Sequence, residues 1–141
     1  MNFQITYEDD AKPEDIQILS DGIKNYSAAK VAGGARRDLT FFLRAAEGSI
    51  VGGVHGNSGD WGWLYISTLW VSETVRGGGY GTALMREAER EALGRGCRSI
   101  YLDTFSFQAV GFYLKLGYRI FGELEDFPPG HKRVFLQKTL T

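Results

Sequence analysis

Several things are scarce in this sequence, and each scarcity removes a class of explanation. One cysteine, Cys97, stands among 141 residues, so no internal disulfide can form and a reducing compartment is expected. Set just ahead of an apolar stretch, it reads as a small buried hydrophobe rather than a nucleophile. Neither sign of charge is in excess: 16 Lys and Arg face 17 Asp and Glu, for a formal net charge of -1. The densest basic pair, Arg36–Arg37, is too small to form a patch. Neither nucleic acid nor an anionic membrane surface is therefore expected as a partner. The most apolar stretch, WGWLYISTLWV at 61–71, falls well short of the roughly 20 residues that cross a bilayer. The opening MNFQITYEDD has no basic segment leading into an apolar one, which predicts a cytoplasmic protein. Repeats, low-complexity tracts and linkers are missing too, and the length suits a single domain, 1–141, with one core.

What is present has the ordinary balance of a globular chain, 43% hydrophobic and 23% charged. Trp61, Trp63 and Trp70 fall close together, which fits either core packing or an aromatic-walled strand or cavity. Residues 3–7 (FQITY) alternate like a strand. Pro13–Glu14–Asp15 supplies a helix start, and Ile16, Leu19, Ile23 and Tyr26 continue at helical spacing to about Ser27. After a loop at 30–38 come three strand candidates, 39–46, 49–55 and 63–71, with a turn at 56–60. Residues 81–93 then place Leu84, Met85, Ala88 and Ala92 on one helix face, opposite Arg86, Glu87, Glu89 and Arg90. A buried strand (98–104), a short helix carrying Ala109, Phe112, Tyr113 and Leu116, and strands 118–124 and 134–138 complete the chain. The expected class is α/β in the α+β sense: a mixed, mostly antiparallel sheet of six to seven strands flanked by helices.

Between strand 63–71 and the helix at 81 lies Arg76–Gly77–Gly78–Gly79–Tyr80–Gly81–Thr82. A helix N-terminus exposes unpaired N–H groups and partial positive charge, and glycines let a backbone approach phosphate closely. This is the pattern of a pyrophosphate cradle. No Lys-Ser or Lys-Thr follows the glycines, so it is not a P-loop. The dinucleotide fingerprint fails as well: Thr82 stands where its third glycine belongs. Only about 40 residues follow Asp103, the one acid placed to hold a ribose.

The same loop fits Q/R-x-x-G-x-G/A, and AVGFYLKLGY at 109–118 fits A-x-x-x-Y-x-x-x-G-[FY]. With both motifs, about 30 residues apart and separated by a strand, the chain resembles the GNAT superfamily of N-acetyltransferases over nearly its whole length. The resemblance implies acetyl-CoA as cosubstrate, no metal, and direct transfer to a primary amine of a small molecule in a ternary complex. A homodimer follows by analogy only. The backbone of Leu69, Trp70 and Val71 is implied to line the pantetheine arm. The N–H groups of Gly77, Gly78, Gly79, Tyr80, Gly81 and Thr82 are implied to hold the pyrophosphate, with Arg76 at the mouth. Tyr113 is implied as proton donor to the leaving thiolate, with Phe112 packed beside it. Where many relatives carry asparagine seven positions before that tyrosine, this chain has Ser106, which can still give a hydrogen bond.

The general base is open, because the strand YISTLWV holds no carboxylate; Asp103, Glu73, His55 or a water chain remain. Acceptor contacts are expected from residues 26–38, Trp63, Tyr65, Phe105 and the EDFPPGH loop, with Glu123, Glu125 and Asp126 suited to a cationic amine and His131 nearby. Two alternatives accompany the enzyme: a catalytically silent acyl-CoA-binding or sensor module, and, third, a dehydrogenase.

Overall fold

A computed structural model describes residues 1–141. Its contacts divide the chain into two units, residues 1–33 and residues 34–141. In the first unit, helix α1 spans Pro13–Ala28, with Pro13 in the first turn followed by Glu14 and Asp15 against the positive end of the dipole. Ile16, Leu19, Ile23 and Tyr26 are all exposed. The strand expected at 3–7 does not form. Strands need partners for their N–H and C=O groups, and residues 3–7 pair with none. Phe3, Ile5 and Tyr7 are exposed, and Thr6 instead donates locally to the Glu8 carboxylate at 2.7 Å.

The second unit is built on a six-stranded sheet with strands β1 (Arg37–Arg44), β2 (Ile50–Ser58), β3 (Trp63–Val71), β4 (Ser99–Phe105), β5 (Arg119–Glu125) and β6 (Lys132–Thr139). The spatial order is β1-β2-β3-β4-β6-β5. Every neighbouring pair is antiparallel except β3 and β4, which are parallel. Helix α2 (Tyr80–Gly94) makes the crossover between those two, and α3 (Val110–Lys115) follows β4.

Alternation along the strands sends Leu39, Val54, Leu64, Ile66, Ile100, Leu102, Val134 and Leu136 to one face, where they meet Leu84, Met85, Ala88 and Ala92 of α2. Ala88 and Ala92, both fully buried, let the helix backbone approach the sheet. Cys97 is buried in this core. The tryptophans are not: Trp61, Trp63 and Trp70 are each 42–57% exposed.

Two further differences from the expected elements lie in β2 and α2. Strand β2 continues through Gly56–Ser58, where a turn was expected, because β3 bulges opposite it. His55 pairs with Thr68 while Gly56 pairs with Ile66, leaving Ser67 as the extra residue. The bulge explains the spacing of β3. Leu64 and Ile66 point into the core, and after one inserted residue so do Leu69 and Val71. Ser67 Oγ donates to the His55 carbonyl at 3.1 Å and holds the bulge. Gly56 is required there, since a Cβ would collide with the Tyr65 carbonyl oxygen and lie 3.1 Å from Ile66 Cα.

The second departure is Glu89, expected on the polar face of α2 but buried at 8% exposure. Its carboxylate accepts from Tyr118 O–H at 2.8 Å and from Lys138 Nζ at 3.1 Å to both oxygens, with Arg86 3.5 Å away. Tyr118 and Lys138 come from distant parts of the chain, so helical periodicity alone could not reveal them. We expect Glu89→Ala to lower the unfolding free energy by about 3 kcal/mol, because it leaves the Lys138 ammonium largely buried without a counter-charge. Denaturant titration checks this. A loss no larger than that of Tyr118→Phe would show that the carboxylate does not anchor the group.

Candidate active site

The parallel pairing of β3 with β4 runs only from Trp63–Ile66 against Ser99–Leu102. Beyond Ile66, β3 stays paired with β2, and beyond Leu102, β4 stays paired with β6. Each strand follows its antiparallel neighbour, so the two separate and a cleft of about 840 Å³ opens between them. One wall is Ser67–Val71, the other Asp103, Thr104 and the turn into α3, and the glycine loop closes one end.

The ladder also fixes which backbone groups face the cleft. Ser72 N–H donates to the Val51 carbonyl at 2.8 Å, so the alternation of an antiparallel pair turns Trp70 toward β2. By the same alternation, the N–H and C=O of Leu69 and Val71 point away from β2, into the cleft. The Val71 carbonyl accepts from Arg76 Nε at 2.9 Å. Arg76 therefore ties the strand end to the loop as well as adding charge at the mouth.

A 3-10 turn at Glu73–Val75 leads into the glycines. Gly77 and Gly79 have φ of 87° and 80°, a left-handed backbone that side chains other than glycine's strain to adopt. Gly79 caps α2 with no side-chain hydrogen bond, and the first turn of α2 holds no acid. The N–H groups there keep their partial positive charge uncompensated, in contrast to α1. Thr82, in that first turn, and Gly81, backed by the Phe112 ring, complete the end wall.

Tyr113 reaches the cleft from α3. Its ring packs edge-on against Phe112 (5.1 Å) and Tyr118 (5.7 Å) and is 6% exposed. No protein group takes its hydroxyl, yet no buried polar side-chain atom in the chain lacks a partner, so the hydroxyl opens onto the cleft. Burial, and secondarily the charge of Asp103, push its pKa up to about 12.

Among the base candidates, Asp103 lines the cleft. Its Oδ1 accepts from Arg133 Nε at 3.0 Å and its Oδ2 from Tyr65 O–H at 3.2 Å. Glu73 is an exposed residue of the loop, 3.9 Å from Arg76. His55 lies off the cleft wall in a separate groove of about 160 Å³, its Nδ1 2.7 Å from Thr40 Oγ1. Glu123 and Glu125 are both engaged by Lys132, at 3.2 and 3.5 Å. Asp126 accepts from Gly130 N–H at 3.5 Å, and His131 packs edge-on against Phe107.

The cleft brings together Leu69, Trp70, Val71, Arg76, Gly77, Gly79, Tyr80, Gly81, Thr82, Phe112 and Tyr113. Gly78 and Ser106 lie outside its lining. The Ser106 hydroxyl accepts from Lys132 N–H at 2.9 Å, and Ser106 N–H donates back to the Lys132 carbonyl. Thr68, Thr104, Phe107 and Gln108 line the cleft without having been singled out from sequence. Two signals pointed to them: the broken alternation between Ile66 and Leu69, and the rule that crevices open beyond the carboxyl ends of parallel strands.

Comparison with known proteins gives the family and the fold. The profile described as Acetyltransferase (GNAT) family matches residues 4–118. An acetyltransferase of Agrobacterium fabrum is 33% identical over 138 residues, 98% of each chain. Blasticidin-S acetyltransferase of Streptomyces morookaense is 39% identical over 94 residues, covering 66% of this chain and 68% of its own. The crystal structure of an acetyltransferase from Bacillus cereus superposes with a TM-score of 0.88 at 36% identity, over 96% of this chain and 98% of that one.

Proposed function

Because the chain belongs to the acetyltransferase (GNAT) family and is an acyltransferase, we propose that it transfers the acetyl group of acetyl-CoA to a primary amine of a small molecule, by direct attack in a ternary complex. The observation that carries this reading is one cleft with anion-ready N–H groups at one end and an unpartnered tyrosine hydroxyl in its wall. The blasticidin-S acetyltransferase relative supports a small-molecule acceptor.

The residues present fit the cosubstrate. The N–H groups around Gly77–Thr82 bind its pyrophosphate, and Arg76 faces the same charge. The free N–H and C=O of Leu69 and the N–H of Val71 pair with the amide groups of its pantetheine arm, as a strand edge accepts an added strand. When bound, acetyl-CoA supplies an activated thioester. The amine nitrogen bonds to the acetyl carbon and the carbon–sulfur bond breaks. The acceptor, arriving as an ammonium, has first lost one proton to solvent. Tyr113 O–H then gives its proton to the departing thiolate and takes one from the attacking nitrogen, which keeps its last hydrogen as the amide N–H. Asp103, the one carboxylate on the cleft wall, faces the incoming ammonium.

Screening polyamines, aminoglycosides and amino acids for thiol release from acetyl-CoA tests the reading: at least one should turn over. Thiol release with none of them, despite tight acetyl-CoA binding, would contradict it. The loop has its own test. Gly79→Ala has room for its methyl group but strains a left-handed backbone by about 1–2 kcal/mol. We expect KM for acetyl-CoA to rise roughly tenfold, with kcat nearly kept. An unchanged KM would remove the loop from cofactor binding.

A further inference from the structure

We propose that the side-chain amide of Gln108 donates a hydrogen bond to a carbonyl of the pantetheine arm, from the wall opposite Leu69 and Val71. The assignment rests on the acetyl-CoA reading of the cleft. Its starting point is the turn between β4 and α3. Gln108 Oε1 accepts from Phe105 N–H at 2.9 Å and from Thr104 Oγ1 at 3.2 Å. Both partners are donors toward it, and a backbone N–H can be nothing else, so the oxygen end of the amide is fixed. The Nε2 end then carries two N–H groups with no partner in the chain, and the residue lines the cleft.

The opposite wall carries Leu69 and Val71, whose free backbone groups are those of a strand edge. A strand-like ligand lying on that edge has amide groups directed to both sides, and those turned away from β3 face Gln108. Ser106, the residue at the position expected to make such a contact, is committed elsewhere: it pins the start of β6 through two hydrogen bonds with Lys132. In this chain the two polar residues of the turn have divided the work. Ser106 holds the β6 strand, and Gln108 caps the turn with its oxygen and presents its nitrogen to the ligand.

Gln108→Glu separates these roles, since a carboxylate keeps the acceptor that caps the turn and loses the donor. Calorimetry of wild type and variant is run with acetyl-CoA and with S-acetylpantetheine, which has the arm without the phosphates. Loss of one hydrogen-bond donor corresponds to roughly a three- to tenfold weakening. We expect that loss for both ligands, with the melting temperature unchanged. Equal affinity of wild type and variant for S-acetylpantetheine would overturn the assignment. A loss confined to acetyl-CoA would overturn it too, because it would report repulsion between the new carboxylate and the phosphates. If the variant does not fold, the wild-type Gln108 side-chain NH2 resonances decide: they should shift when S-acetylpantetheine is added, and unmoved resonances would overturn the assignment. Failure of the wild type to bind acetyl-CoA at all would instead overturn the cofactor reading, and this assignment with it.

Discussion

Tyr113→Phe is expected to lower kcat about 100-fold while leaving KM for acetyl-CoA and the melting temperature close to the wild-type values. The size is that of losing a positioned general acid. The selectivity follows from geometry. The ring keeps its contacts with Phe112 and Tyr118, and the hydroxyl bonds no protein group, so its removal leaves no partner unsatisfied. A pKa raised to about 12 keeps the hydroxyl protonated throughout the neutral range, as a donor must be. Any alkaline fall in kcat below pH 10 therefore belongs to another group, and an acidic fall reports loss of the free acceptor amine. For stability the sign is also fixed. The folded pKa lies above the unfolded value of about 10, so this group's contribution is fully present below pH 10 and is lost as pH rises toward 12. Steady-state kinetics and thermal melts of the variant check the prediction; unchanged kcat across the pH range would remove Tyr113 as proton donor.

Gly56→Ala is expected to be the most damaging single methyl group in the chain. It does not line the cleft, yet it faces the bulge at the point where β3 leaves β4. The added Cβ would meet the Tyr65 carbonyl oxygen and Ile66 Cα, both backbone, so no side chain can swing aside. Either the two strands move apart or the bulge is lost, and losing it would send Leu69 and Val71 to the wrong face. Overpacking of this kind costs about 3 kcal/mol, equivalent to a melting temperature lower by roughly 10 °C for a protein of this size. Acetyl-CoA affinity should fall along with it, because the free edge of Leu69 and Val71 depends on the bulge. A stable variant with native cofactor affinity would show that the bulge does not shape the cleft.

Much of the architecture was legible before any coordinates. Helix α2 was expected at 81–93 and spans Tyr80–Gly94, and β3 was expected and found at 63–71, because long periodic segments carry their own signal. The glycine loop and Tyr113 were readable because backbone conformation and a motif tyrosine are local properties. What escaped notice is non-local. The alternation at 3–7 is as good as that of a real strand, but pairing is decided elsewhere in the chain. Glu89 looked like a solvated charge because Tyr118 and Lys138 are 29 and 49 residues away. Ser106 was expected at the cofactor, but its hydroxyl is taken by Lys132 N–H, 26 residues away on β6.

Acetyl-CoA is expected to lie between the diverging ends of β3 and β4. Backbone amide resonances followed during titration with acetyl-CoA test it most directly. Large shifts are expected at Leu69, Val71 and Gly77–Thr82, with smaller ones at Phe105–Gln108 and none in the His55–Phe42 groove. Shifts centred on that groove, with the glycine loop unmoved, would contradict it.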